Sequence, residues 1–460
     1  MRFQKLFYWL SFAVLAVWLM SAGGCAQIGF PTGGIRDSIP PILLSSTPAS
    51  GSTGFSSRKV TLLFNEYVEV KDIQKNLMIS PAMSVNPVVS SKLKTVTIQF
   101  KDSLRKNTTY TIQLGDAIRD INEGNALGNF NYIFSTGDEI DSLIVSGKVI
   151  LAETGEYDST LMVFLFSNQA DSAIEKSKPE FITRLNGSGE FVFKNLPSGA
   201  FRLYALKDGD GSRNYNNPSE FFAFYDSMVY PSVNPTELLL FAYQKEKLAA
   251  TPLEQNKSAT TKLTLYPDLP SGYQSLIDSL KFSFSRPIAR FNPDSIQLLD
   301  SVGKKVDFKD QFDASRKTLK LAIDWKPGVN YKLIINKGAF SDSSGNELSR
   351  NDTIAFSTRA NSFYGRMALR FPGYQKEKNQ VLQLLDKGQV RFSFILSSSN
   401  LKRDLIPPGE YSMRILLDQN GNGIWDPGDF SKKRQPERCL QITEKLIIRS
   451  DWDNERDISF

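Results

Sequence analysis

Two stretches of this chain, about 220 residues apart, carry the same features in the same order; a sequence that repeats itself at this scale folds as repeated units, each with its own core. Phe64-Asn65-Glu66-Tyr67-Val68 answers to Phe284-Ser285-Arg286-Pro287-Ile288, and Leu104 with Tyr110 answers to Trp325 with Tyr331. Asp120, Gly124-Asn125-Ala126-Leu127 and Phe134-Ser135-Thr136 then answer to Asp342, Gly345-Asn346-Glu347-Leu348 and Phe356-Ser357-Thr358. Runs such as Val60-Thr61-Leu62-Leu63-Phe64, Val96-Thr97-Ile98-Gln99-Phe100, Tyr110-Thr111-Ile112-Gln113-Leu114 and Tyr132-Ile133-Phe134 are short and separated by Gly, Asn, Asp, Ser and Pro. Their alternation buries one face of a strand and leaves the other wet. The fold class is therefore all-β, built of tandem β-sandwiches, and 460 residues is enough chain for three or four of them.

A second kind of unit lies between and after these. Gly189-Glu190-Phe191-Val192-Phe193-Lys194-Asn195-Leu196-Pro197-Ser198-Gly199-Ala200-Phe201-Arg202-Leu203 has its partner in Ile406-Pro407-Pro408-Gly409-Glu410-Tyr411-Ser412-Met413. In both, an Asp stands nine residues beyond the turn glycine, Gly199 to Asp208 and Gly409 to Asp418, and Gly147 and Gly365 fit the opening strands. The first kind of unit resembles the bacterial Ig-like domain of the surface-layer type, over 40–137 and 263–359. The second resembles the transthyretin-like or carboxypeptidase-regulatory-like sandwich, over 138–230 and 360–460. These resemblances imply the order Ig-like, transthyretin-like, Ig-like, transthyretin-like, with 231–262 as a connecting segment long enough to add a strand or short helix. In the Ig-like family the Asp…Gly-Asn loop leads into the closing strand, so Asp120 and Asp342 read as turn formers and not as catalysts.

Ahead of these units, Arg2 and Lys5 precede an apolar stretch from Leu6 to Met20, about 15 residues long, which suits a signal-peptide core better than a bilayer-spanning helix. It ends in Ala22-Gly23-Gly24-Cys25. This resembles a bacterial lipoprotein signal, with Ala22 where a lipobox usually has Leu, and implies removal of 1–24, acylation of Cys25 and a tether over 25–39. The alternative is ordinary cleavage after an Ala-x-Ala-like site. Ala26, Gln27 and Phe30-Pro31-Thr32-Gly33-Gly34 complete a resemblance to a family of Bacteroidetes envelope lipoproteins. The implied location is the outer membrane through a lipid anchor, on the periplasmic face in preference to the cell surface, because no acidic cluster like a surface-export signal follows the cysteine. Acylation of Cys25 excludes an intramolecular disulfide with Cys439, so the sandwiches are stable through burial alone.

Histidine is absent, which removes the usual general base, the usual zinc ligand and every Ser-His-Asp arrangement. Carboxylate-pair chemistry survives, with Glu66 and Glu123 its best-placed candidates. A formal charge of +6 without any basic run gives no footprint for nucleic acid.

One stretch carries ligand chemistry. Asp418-Gln419-Asn420-Gly421-Asn422-Gly423-Ile424-Trp425-Asp426-Pro427-Gly428-Asp429 places side-chain oxygens at the EF-hand positions of Asp418, Asn420, Asn422, Asp426 and Asp429, with glycine at Gly423 for the sharp turn and the Ile424 carbonyl as a further ligand. The cofactor this spacing suggests is a structural Ca²⁺, held at about 10⁻⁴ M, with Trp425 as a cover. Asn-Gly-Asn-Gly is also a good hairpin turn in its own right. The equivalent loop, with Asp208, Asp210, Ser212, Asn214, Asn216 and Glu220, reads as a weaker copy, because Arg213 stands where glycine belongs and its guanidinium offers a built-in cation.

Asp followed by Ser or Thr and a small or apolar residue recurs at Ser38, Ser103, Ser142, Ser159, Ser172, Ser227, Ser279, Ser295, Ser301 and Thr353, several times more often than the roughly two or three matches that composition gives. The pattern resembles the O-glycosylation sequence of exported Bacteroidetes proteins; Asp-Ser is equally a turn leading into a strand. The reading that joins these features is a non-enzymatic, lipid-anchored envelope scaffold that meets the membrane through its anchor and binds another envelope protein. Its rivals are a surface-exposed polysaccharide-binding lipoprotein and, further off, a carboxylate-dependent glycan-acting enzyme. The aromatic residues are mostly Phe, which is more often core than sugar platform.

Overall fold

The computed structural model describes Trp9, residues 37–246 and residues 262–460. The rest of the signal segment, Cys25, the tether up to residue 36 and residues 247–261 lie outside the described residues. Apart from short helices such as Ile73–Asn76 and Ala173–Lys176, the described residues are strands and loops, and no helix among them is long and apolar enough to cross a membrane. They divide into two compact units. The first takes in the described residues up to Leu77 with Ser84–Lys106 and Ile112–Thr136, and the second Met78–Met83, Asn107–Thr111 and the described residues from Gly137 to Phe460.

The first unit contains an antiparallel sheet in the order Leu43–Thr47, Lys59–Phe64, Thr95–Gln99, Val88–Lys92. The alternation read from the sequence sets its faces: Val60, Leu62, Phe64, Val96 and Ile98 are fully buried, while Lys59 and Leu63 face water. Phe134 packs against Phe55 at 4.0 Å and Phe100 at 5.6 Å between ring centroids, contacts that add about 1 kcal/mol each beyond burial. Val68–Val70 pairs with Ile118–Asp120 and holds Asp120 out of water. The Asp120 carboxylate accepts the backbone N–H groups of Glu123 at 2.6 Å, Gly124 at 2.9 Å and Asn125 at 2.8 Å, which fold the Gly-Asn loop around it. Burial by itself would raise its pKa, but these hydrogen bonds outweigh that and hold it below the ordinary carboxylate value.

The second unit carries the repeat. Leu265–Pro267, Leu280–Phe284, Thr318–Ala322 and Lys309–Phe312 reproduce the four-stranded order, and Ile288–Phe291 with Phe340–Asp342 reproduces the small pair. Asp342 accepts from the N–H groups of Ser344 and Asn346, and also from Arg286, which donates at 3.2 Å from the place that Glu66 holds in the first copy.

The other two sandwiches of this unit are also copies of each other. Leu143–Leu151 lies between Glu190–Leu196, antiparallel, and Leu238–Ala242, parallel. Gly365–Arg370 lies in the same way between Asn400–Ile406 and the parallel Asp453–Asp457. The facing sheets run Phe181–Arg184, Met162–Phe166, Arg202–Leu206, Phe222–Phe224 and Gln389–Ile395, Gln380–Asp386, Gly409–Leu417, Arg438–Ile448. Leu238–Ala242 falls inside the segment expected to connect two pairs of domains, which was long enough to add a strand, and it is a strand that closes the preceding sandwich. All five of its residues are apolar, which hides from the sequence the alternation visible in burial, where Leu240 and Ala242 face the core and Leu239 is 43% exposed.

Gly147 and Gly365 occupy matching places in the opening strands, where the backbone of another segment passes too close for a side chain: an added Cβ would meet the carbonyl oxygen of Leu238 in one and of Arg449 in the other. Gly147→Ala or Gly365→Ala will lower stability by about 1–3 kcal/mol in urea unfolding, while Gly187→Ala, in open space, will leave it nearly unchanged. Asp120 adds a pH dependence. Its pKa is lower folded than unfolded, so its contribution is fully present above the unfolded value of 3.8 and is lost as pH falls through the folded one. Asp120→Asn will therefore cost about 2 kcal/mol at neutral pH, and the gap between variant and wild type in urea midpoint will narrow below about pH 4.

Candidate functional site

The two Asp/Asn loops share one construction. Asp418, 1% exposed, follows the strand Gly409–Leu417 and accepts the N–H of Gly421 on Oδ1 at 2.7 Å and that of Gly423 on Oδ2 at 2.6 Å. Asp208 accepts the N–H groups of Gly211 at 2.9 Å and Arg213 at 3.0 Å on the same two oxygens. Gly423 has φ 76° and Arg213 φ 60°, so the arginine takes up the left-handed backbone that a glycine enters without cost. A glutamate farther along the chain closes each loop: Gly209 donates its N–H to Glu220 Oε1 at 3.1 Å, and Gln419 donates to Glu437 Oε1 at 2.7 Å.

Beyond this frame the loops differ. In the C-terminal one, the side-chain amides of Asn420 and Asn422 donate to Asp426 Oδ2 at 2.6 and 2.7 Å, and the Ile424 side chain is exposed. Asp429, expected at the twelfth ligand position, is engaged by the Ser431 hydroxyl at 2.7 Å and by Lys245 at 3.3 Å, and the hydroxyl and the lysine hold its pKa down. Glu437, 4% exposed, closes the loop, taking the Asp426 N–H on Oε2 at 3.0 Å, and Trp425 donates its indole N–H to the Glu437 carbonyl. Sequence reasoning missed Glu437 because it lies 19 residues beyond Asp418, outside any loop spacing. The matching glutamate of the other loop was its only signal.

In the loop expected to be the weaker copy, Asp208, Asp210 and Glu220 each bring a carboxylate oxygen within 4.8 Å of the others, and among the described residues this is the group that gathers three potential metal-binding side chains. Glu220 is 9% exposed and its Oε2 has no hydrogen-bond partner among the described residues. Burial pushes the Glu220 and Asp208 carboxyls up, whereas the Asn216 and Ser212 side chains hold Asp210 low. Asn214 donates its amide to the carbonyls of Ile174 and Ser177, fixing the loop to the helix Ala173–Lys176. Arg213 forms no ion pair among the described residues, so its guanidinium does not stand in for a cation here.

Both loops border one aromatic junction between the sandwich of 143–242 and the C-terminal one. Tyr215 stacks on Phe222 with 4.1 Å between centroids. Phe430, one residue past Asp429, packs edge-on against Phe222 and Phe224 at 5.2 Å and Tyr204 at 5.8 Å. Farther along, Arg414, 3% exposed, donates to Gln383 Oε1 at 2.8 Å and to the Glu153 carbonyl at 2.7 Å, and Cys439 donates its N–H to the Ala152 carbonyl. An arginine inside the apolar strand Gly409–Leu417 was the sequence signal for this contact.

Elsewhere, Ser38, Ser103, Ser142, Ser159, Ser227, Ser301 and Thr353 are exposed and Ser172, Ser279 and Ser295 half-buried. Glu66 is half-buried near Asp120, Asp37 and Glu123, and burial and those charges raise its pKa. A cleft of about 410 Å³ is lined by Tyr273, Phe363, Arg359, Asp278 and Arg391, among others. The Arg359 guanidinium lies over both rings, at 4.1 Å from Tyr273 and 4.4 Å from Phe363, and Arg391 pairs with Asp278 at 2.6 Å, so the aromatic faces a sugar would use are already covered.

The comparison with curated proteins found no match. Among solved structures, the chain is similar to native alpha-2-macroglobulin from Escherichia coli spanning domains MG0-NIE-MG1, at 18% identity over 40% of this chain and 72% of that one, with a TM-score of 0.21. It is also similar to BcpA, the major pilin subunit of Bacillus cereus, at 9% identity over 69% and 99% with a TM-score of 0.17, and to the N-terminal part of the bacterial S-layer protein SbsC, at 15% over 38% and 42% with a TM-score of 0.16. Likenesses at such TM-scores carry no inference about this chain. Residues 37–136 match the family model of the bacterial Ig-like domain, which covers the first of the two Ig-like copies read from the sequence.

Proposed function

We propose that this chain is a non-enzymatic scaffold of the cell envelope, anchored in the outer membrane by acyl groups on Cys25 and holding a partner envelope protein on its periplasmic side. In this reading it is four sandwiches, Ig-like and transthyretin-like in alternation. The observation that carries the reading is the junction: its buried Arg414, its inserted Phe430 and the Lys245–Asp429 ion pair are all used in holding one sandwich against another, a use of polar and aromatic residues suited to a rigid spacer. The covered aromatic faces of the cleft weigh against the polysaccharide-binding alternative. The replacement of Glu66 by Arg286 in the repeat weighs against a shared carboxylate chemistry. Calcium serves as a structural cofactor in both loops, and sugars attach at the exposed Asp-Ser sites.

Two expected outcomes test this. Cells fed an alkyne fatty acid will label the wild-type protein, and Cys25→Ser will abolish the label and release the protein from the membrane fraction; each buried CH₂ contributes about 0.8 kcal/mol, so several chains make release of the wild type negligible. An unlabelled wild type refutes the anchor. Calcium at about a hundredfold its dissociation constant will stabilise the protein by about 2.7 kcal/mol per site, read as a melting temperature that EDTA lowers, and Asp418→Ala will show a smaller calcium response.

A further inference from the structure

The loop of Asp208, Asp210 and Glu220 contains an imbalance that its own hydrogen bonds do not resolve. Three carboxylates lie within 4.8 Å, and Glu220 is more than nine-tenths buried with Oε2 unpartnered. A buried carboxylate oxygen without a donor costs a few kcal/mol, and a hard divalent cation, which takes oxygen ligands at about 2.3–2.6 Å, is the ligand class that removes the cost and the mutual repulsion together. Arg213 leaves that position open, since it forms no ion pair among the described residues. Between Asp208 and Glu220 the loop carries Tyr215, which stacks on Phe222, and Phe222 is one of the rings that receive Phe430 from the C-terminal sandwich.

Resting on the reading of this loop as a calcium site, we propose that a divalent cation held by Asp208, Asp210 and Glu220 fixes the loop that carries Tyr215, and so sets the seat of Phe430 and the docking of the C-terminal sandwich onto the one before it. The loop that looked weaker in sequence is then the one that governs the junction. Losing the ion lets the three carboxylates separate, the Tyr215 stack loosens, and Phe430 leaves its pocket more often.

The test is amide hydrogen exchange of the full chain with saturating calcium or with EDTA, followed in peptides covering 425–439, beside calcium titration of wild type, Glu220→Gln and Asp210→Asn. In wild type, calcium will slow exchange around Phe430 by about fivefold or more, and both variants will lose most of that slowing. Unchanged circular dichroism of the variants in EDTA shows that they remain folded, and exposed Asp210 provides a second variant that leaves the core alone. Calcium bound with no change at Phe430 overturns the coupling and leaves the site standing. The same protection in both variants as in wild type assigns the effect to the Asp418 loop and overturns the proposal. Absence of a binding step that the variants remove overturns the cation site itself.

Discussion

In each of the four sandwiches an aspartate folds the chain that follows it by accepting backbone N–H groups two to five residues on. Asp120 gathers the Gly-Asn loop of the stretch that matches the bacterial Ig-like domain and Asp342 that of its repeat, and Asp208 and Asp418 gather the acidic loops of the other two. A carboxylate that accepts two or three amides makes each bond charge-assisted, and it turns a glycine-rich stretch, entropically costly to order, into a fixed loop. The position of Phe430, the closure by Glu437 and the gathering of three acids around Asp208 all follow from loops held in this way.

The two kinds of loop diverge in how the negative charge is answered. Asp120 and Asp342 are satisfied within the chain, Asp342 by Arg286 in addition to amides. The Asp418 loop answers much of its charge with Asn420, Asn422 and two amides on Glu437. In the Asp208 loop both aspartates are answered by donors, and among the described residues one oxygen of its glutamate is not. Four uses of one hydrogen-bonding device thus range from self-contained to one that leaves a buried carboxylate oxygen without a donor among the described residues.

Much of this was legible in the residues. Strands such as Lys59–Phe64 and Thr95–Gln99 were readable because one face is buried and period-two alternation survives. The repeats were readable because turn residues and core aromatics keep their order, and the sheets of the copies follow the same sequence of strands. Leu238–Ala242 was hidden by being apolar on both faces. Phe430 was hidden because its partners lie on another sandwich, and Glu437 because it closes its loop from beyond the span of any local pattern. Spacing along the chain placed Glu220 beside Asp208 and Asp210, and the structure brings these three carboxylates together.

In the sandwich of 143–242 and in the C-terminal one, the first and last strands lie side by side and run in the same direction, Leu143–Leu151 with Leu238–Ala242 and Gly365–Arg370 with Asp453–Asp457. Tension applied between the beginning of the first strand and the end of the last is therefore directed along the strands, and it loads their shared hydrogen bonds all at once in shear instead of peeling them one after another. Such a module yields slowly to pulling, because several bonds must break in a single event.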